Sequence, residues 1–277
     1  MANFTAADVK KLRELTGAGM MDCKKALDEA DGNVEKAVEI LRIKGQKGVA
    51  KRESRTTANG AVVAAANGES EGALLELDCE TDFVAKGDRF IEVAQKLADF
   101  VLANDFADVD ALVAAEIESG KTVQAYIDEA GALLGEKIVA NRFARYAGAY
   151  VHNYLHRTSP DLPPQVGVLV ELSKADSELA KGLAQHIAAF GPKFLSRDEV
   201  PAETVENERR VAEATSREEG KPEAALPKIV EGRVNGFFKE NCLLEQAYAH
   251  DSKKTVKKVL DEAGVDVKRF ARFRVGV

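Results

Sequence analysis

Two stretches of this 277-residue chain repeat one another: "LLELDCETDFVAKGDRFIEVAQKLADF" (74–100) parallels "LVELSKADSELAKGLAQHIAAF" (169–190). In each, an alternating apolar run gives way, past a polar loop, to apolar residues at helical intervals, which reads strand, loop, helix. "LLEL" aligns with "LVEL" and "AQKLADF" with "AQHIAAF". Such self-similarity predicts two related sheet-plus-helix units. The copies differ in one place. Seventeen positions separate Leu77 from Ala94, against twelve from Leu172 to Ala184, so the first copy carries five additional residues around "TDFVA". If the second copy closes its fold without them, closure does not require them, and a loop on a rigid scaffold is where function concentrates. Phe83 stands in that surplus among acids, as an exposed-looking aromatic.

The flanking patterns complete an α+β chain. Thr5 with Asp8 makes a capping box ahead of Val9, Leu12 and Leu15, and "TGAG" stops that helix at Gly17 to Gly19. A second helix is expected from Met21 or Asp22, with Cys23, Ala26, Leu27 and Ala30 on one face, ending at Asp31-Gly32. Asn33 caps a third, striped by Val34, Ala37, Val38 and Leu41. Three helices in about 43 residues are near the lower limit for a self-sufficient core. Met20 or Met21, beside the turn, is therefore a candidate partner contact. The following "KGQKGVAKRESR" places Lys44, Lys47, Lys51, Arg52 and Arg55 against Glu53, a local charge of +4, and with two glycines reads as a solvated linker.

Beyond it, "GAVVAAANGESEGALLELDCE" predicts a hairpin turning at Asn67-Gly68. Phe90, Val93, Ala94, Leu97 and Val101 predict a covering helix, the segment to about Leu134 is mostly helical, and "EKIVANRFARYAG" returns to strand alternation. From Arg197 to Glu223, 14 of 27 residues are charged, which no core accepts. With Leu226, Ile229, Val230, Arg233 and Phe237 returning, this predicts a projecting antiparallel helical hairpin broken at Gly220 to Pro222. "SKKTVKKVLDEAG" supplies a last helix, and "VKRFARFRVGV" a strand that rejoins the second sheet. The expected division is 1–55 for the helices and basic linker, 56–147 for a first core half, and 148–277 for a second, which includes the hairpin insertion at about 197–241.

Composition excludes several classes. A formal charge of −7 opposes the long-range attraction to phosphate on which nucleic-acid binders rely. No apolar run reaches the roughly 18 residues of a membrane span, and the start reads as a capped helix rather than a signal peptide, so a cytosolic protein is expected. Cys23, Cys79 and Cys242 are too scattered for a disulfide framework or zinc knuckle. No Gly-Lys-Ser/Thr phosphate loop occurs, and "TGAGMMD" lacks a dinucleotide fingerprint. His152 and His156 are four apart on an expected strand, about 13 Å along the chain, too far to share one ion. His186 and His250 belong to no recognisable arrangement of nucleophile and acid in the sequence, and Glu80 with Asp82 reads as a solvated acidic loop rather than a general-acid pair. No cofactor and no metal site is expected.

"LRELTGAGMMDCKKALDEADGNVEKAVEILR", "LDCETDFVAK" and "FARFRVGV" together resemble the bacterial elongation factor Ts family, over nearly the whole chain. The resemblance implies a ubiquitin-associated-like three-helix domain, two related antiparallel sheet-plus-helix core halves and a helical-hairpin insertion. It implies a guanine nucleotide exchange factor for elongation factor Tu, which displaces GDP and does no covalent chemistry. By the resemblance, Thr81, Asp82, Phe83 and Val84 work near the partner's magnesium, Arg13, Met20 and Met21 contact the same GTPase domain, and His152 approaches the partner's phosphate-binding region. The segment "HNYLHRTSPDLPPQVGV" is longer than the family's usual turn, which leaves His156 as the alternative. The chain stops at "FRVGV", where some relatives continue into a further helical module. Homodimerisation through the hairpin stays open, as does a second functional class, a non-catalytic adaptor using its three-helix domain. A third, a metal-dependent hydrolase around Glu80, Asp82 and the histidines, predicts tightly bound metal.

Overall fold

Thr5 opens the chain's first helix by the reciprocal box: its hydroxyl accepts from the Asp8 N–H at 3.3 Å while its own N–H donates to the Asp8 carboxylate at 2.7 Å. The computed structural model describes residues 3–16 and 18–276. Helix α1 (Ala6–Thr16) ends just before Gly17, which was part of the expected stop and lies outside the described residues. Helix α2 (Met20–Glu29) starts ahead of the expected Met21 or Asp22, and Asn33 caps α3 (Val34–Arg52) by accepting from the Lys36 N–H at 3.0 Å. Val9, Leu12, Cys23, Ala26, Leu27 and Ala37 close their small core.

The basic stretch expected as a linker is helical as far as Arg52. It contains no proline, and its Lys, Gln and Ala are good helix formers that outweigh two glycines. Strands β1 (Asn59–Asn67) and β2 (Glu71–Cys79) form the predicted hairpin, with Gly68 at φ 62° in the turn. The surplus residues form a single helical turn, α4 (Asp82–Ala85), rather than an open loop, and α5 (Asp88–Ala103) follows. Helix α6 (Val109–Ala114) leads to a small hairpin, β3 (Glu116–Glu118) and β4 (Lys121–Thr122), then to α7 (Val123–Leu134) and β5 (Ile138–Ala147). Gly45 of α3 sits against α7, where a Cβ added to it would lie 2.6 Å from the Ala132 Cβ, so this contact depends on the missing side chain.

The second half repeats the plan. Strands β6 (Tyr150–His156) and β7 (Val166–Leu172) pair antiparallel, and α8 (Ser177–Phe190) covers them. The insertion is α9 (Ala202–Glu218) and α10 (Leu226–Asn241), reversed at Gly220 and closed over its own core of Val200, Ala212, Val230, Val234, Phe238 and Cys242. A small hairpin, β8 (Ala247–Tyr248) and β9 (Asp251–Thr255), then precedes α11 (Val256–Ala263) and β10 (Val267–Arg274). The sheets run β1-β2-β5 and β10-β7-β6, each with the repeat strand in the middle. Helices cover their outer faces, and the inner faces meet through Val62, Leu74, Val151, Leu169 and Phe273.

The internal repeat is therefore longer than the stretch that first disclosed it. "KTVQAYIDEAG" (121–131) matches "KTVKKVLDEAG" (254–264), each following a small hairpin and each with Thr capping the helix. "RFARY" (142–146) matches "RFARF" (269–273) on the returning strands. A register shift falls at the same point in both sheets, between Glu76 and Leu77 opposite β5 and between Val267 and Arg269 opposite β7. The Arg142 Nε donates to Glu76 at 2.7 Å, and the Arg269 Nε to Glu171 at 2.6 Å.

Candidate partner-interaction site

The turn carrying Phe83 is built from below. Cys79, fully buried at the end of β2, donates its thiol to the Thr81 carbonyl at 3.2 Å. Burial first, then the Glu136 and Asp78 carboxylates, push that thiol up to about 12, so it stays protonated. Thr81 caps α4 by accepting from the Val84 N–H at 3.4 Å, and Ala85 is buried as the foot of the turn. Between these anchors Phe83 is 82% exposed, the highest exposure among the large apolar side chains of the described residues. A ring of this size gains nothing from the fold by standing in water.

The neighbours of Phe83 are charged. Lys86 donates to Asp82 at 2.7 Å, which holds the Asp82 carboxyl below its usual range, and the Lys86 Nζ lies 5.7 Å from the Phe83 ring centre. Glu80 is pinned from several sides. Arg55 reaches its carboxylate at 3.1 Å, the Lys137 N–H donates to it at 2.7 Å, and Asn59 donates to its carbonyl at 2.9 Å. Burial works to raise the Glu80 carboxyl, but the Lys137 and Arg55 hydrogen bonds outweigh it and leave the carboxyl lowered. Glu136 in turn accepts from the N–H groups of Glu80 and Thr81, both at 3.0 Å, and from the Thr81 hydroxyl.

The other expected residues lie elsewhere. Arg13, Met20 and Met21 are all exposed on the three-helix domain, the two methionines at 50% and 62%, and Leu15 of the same domain is exposed as well. His152 is half-buried on the face of β6 that α8 covers, and its imidazole is lowered by burial and by Lys181. His156 is exposed at the strand's end, where its Nδ1 meets the Tyr154 hydroxyl at 3.2 Å. Both histidines are on β6, the strand assignment that separated them by sequence. Among the described residues, no group of three His, Cys, Asp or Glu side chains is placed to hold a metal ion, and no helix is long and apolar enough to cross a membrane.

A family model described as Elongation factor TS matches residues 80–277, well over half the chain. The chain belongs to the elongation factor Ts family. It is accordingly a translation elongation factor. Full-length relatives, each covering the whole chain, are the elongation factor Ts of Streptomyces griseus at 74% identity, of Streptomyces coelicolor at 69%, and of Thermobifida fusca at 61%. The chain in turn spans 99% or more of each of them. The family match thus includes the whole of the Phe83 turn and both returning strands.

Sequence reasoning missed Arg55, Glu136 and Lys137. A signal for the last two existed. Nine positions separate Gly131 from Ala140, against three from Gly264 to Val267, so the first half carries a second surplus, of six residues, that includes Glu136 and Lys137. The two surpluses of the first half touch each other.

Proposed function

We propose that this chain binds elongation factor Tu carrying GDP and promotes release of the nucleotide, with Thr81, Asp82, Phe83 and Val84 disturbing the partner's magnesium and phosphate site. The observation that carries this reading is the 82% exposure of Phe83 on a turn capped by Thr81 and footed by Ala85. The physical mechanism is linkage. A factor that binds the nucleotide-free partner more tightly than the GDP-bound one weakens GDP binding by the same ratio. Phe83, wedged between elements of the partner, would shift those that organise the magnesium, and loss of that divalent charge would remove much of the hold on the diphosphate. Asp82 competes for polar partners at the same place.

Arg13, Met20, Met21 and His152 complete the proposed contact. The exposed methionines suit an adaptable apolar contact, and the low basicity of His152 suits a neutral imidazole. His156 is the alternative histidine. The chain does no covalent chemistry of its own in this reading, and a cytoplasmic setting follows from its partner. The second reading, an adaptor acting through the three-helix domain alone, is favoured by the exposed Leu15, Met20 and Met21. Homodimerisation through α9 and α10 is compatible with either and is read by light scattering with and without that segment. Mixing the chain with elongation factor Tu preloaded with fluorescent GDP separates the two readings: an exchange factor at substoichiometric amounts accelerates release, and an adaptor does not.

A further inference from the structure

The three acceptor contacts of Glu136 converge on the two residues that begin the Phe83 turn. One carboxylate oxygen, Oε2, takes the consecutive N–H groups of Glu80 and Thr81, and the other, Oε1, takes the Thr81 hydroxyl proton. That assignment of the proton leaves the hydroxyl's lone pairs for the Val84 N–H, which is how Thr81 caps α4. Lys137 completes the exchange, its N–H donating to the Glu80 carboxylate and its ammonium to the carbonyls of Glu53 and Arg55. A four-residue helix has too few internal hydrogen bonds to hold itself. Its geometry has to come from outside, and the second half, which lacks both surpluses, has neither a turn to hold nor a clamp to hold it.

We propose that Glu136 is the positioning residue of the Phe83 turn: its carboxylate keeps α4 formed in the free protein, so that Phe83 meets its partner already presented. This rests on the exchange-factor reading for its consequence, though not for the clamp itself. A turn formed only part of the time weakens apparent binding in proportion to the fraction formed. Once seated, the wedge is the same, so the saturating rate of nucleotide release is preserved. Glu136 touches neither partner nor nucleotide in this account.

The test uses the full-length chain as wild type, Glu136→Ala and Glu136→Gln. Amide hydrogen exchange is read at Val84, Ala85 and Lys86 and, as a control, at Leu75 in the middle of β2. Factor-stimulated release of fluorescent GDP from elongation factor Tu is titrated in parallel. Glu136→Ala removes all three contacts and is expected to speed exchange at the turn by at least about tenfold, the equivalent of even one hydrogen bond of ordinary net worth, and to leave Leu75 unchanged. The half-saturating factor concentration should rise several-fold with the saturating rate retained. Glu136→Gln, which keeps a carbonyl for the amides but loses the acceptor for the Thr81 hydroxyl, should fall between. Wild-type protection at the turn in Glu136→Ala overturns the proposal. So does loss of protection that extends through Leu75, which marks a general structural role, and so does a half-saturating concentration that stays fixed while the turn opens. If the wild-type chain fails to stimulate release, the exchange-factor reading falls, and the amide data alone decide the clamp.

Discussion

Arg142 holds its guanidinium 4.9 Å from the centre of the Phe273 ring, across the interface between the two sheets. The repeat returns the contact: Arg269 lies 4.2 Å from the Tyr146 ring. Arg142 also donates to the Arg274 carbonyl at 3.0 Å and Arg269 to the Ala147 carbonyl at 3.5 Å. Each half therefore reaches into the other with the same residue, as expected of two copies related by an approximate two-fold axis.

The two arginines are equivalent in position but not in burial. The Glu76 side chain under Arg142 is fully buried, whereas the Glu171 side chain under Arg269 keeps 13% of its surface. Removing one partner of a pair strands the other charge, at a cost of about 3 kcal/mol or more where that charge is fully buried and at a smaller cost where it keeps contact with water. Arg142→Ala should therefore destabilise the chain clearly more than Arg269→Ala in urea unfolding, and Glu76→Gln should recover part of the loss in the Arg142→Ala background. Equal losses for the two single variants would show that the shared stacking, not the buried carboxylate, dominates.

Asp78 lies two residues beyond Glu76 on the same face of β2, buried, with its Oδ1 unpartnered among the described residues. Burial first and the Glu76 charge second raise its carboxyl to about 7. A raised acid binds its proton more tightly when folded, so its favourable contribution is complete below the unfolded value near 4 and is lost as pH rises through about 7. Asp78→Asn should consequently stabilise the chain at pH 8 by an amount on the order of 2 kcal/mol, read as a higher thermal midpoint, with the gain shrinking toward pH 4. A gain independent of pH would contradict this.

His186 is buried in α8 between Phe190 and Tyr248, with His250 nearby. The Gln246 amide donates to the Glu240 carbonyl, so its oxygen faces the His186 Nε2 at 2.8 Å, and the Ala249 N–H donates to Nδ1 at 3.1 Å. The ring is thereby held neutral with its proton on Nε2, and burial lowers its basicity. A lowered base contributes stability above its unfolded value near 6.5 that is lost as pH falls below it. Nitrogen-15 spectra should still show the Nε2–H tautomer at pH 6, and a doubly protonated ring there would refute the assignment.

Gly45 against Ala132 predicts that a side chain at this position separates α3 from α7. Gly45→Leu should loosen the three-helix domain at a cost of about 1–3 kcal/mol, typical of overpacking. Proteolysis should release the first 52 residues while the core remains resistant. An unchanged digestion pattern would mean that α3 shifts to accommodate the side chain.

What the sequence disclosed and what it withheld follow from the range of the interactions. Helix caps such as Thr5 and Asn33 act over three residues, and the strand alternation of β2 and β7 acts over two, so both are legible in one dimension. The exposure of Phe83 was legible because apolar residues rarely stand among acids in a core. Glu136 was not, since it sits 55 residues from Thr81 and a lone glutamate carries no local signal. Its place becomes visible only when "KTVQAYIDEAG" is laid on "KTVKKVLDEAG" and the six-residue surplus beyond it is counted. The basic stretch reads as a linker because of its two glycines, but its good helix formers outweigh them and Gly45 also lets the helix approach α7, a partner remote in sequence.

The most direct measurement of the role of Phe83 is the release of fluorescent GDP from elongation factor Tu under wild-type chain and Phe83→Ala at matched, subsaturating concentrations. Phe83 is 82% exposed, so its truncation leaves the fold intact. A fall in stimulated release of about tenfold or more is predicted, the scale of one aromatic anchor lost from a contact. Equal stimulation by the two proteins would contradict the wedge.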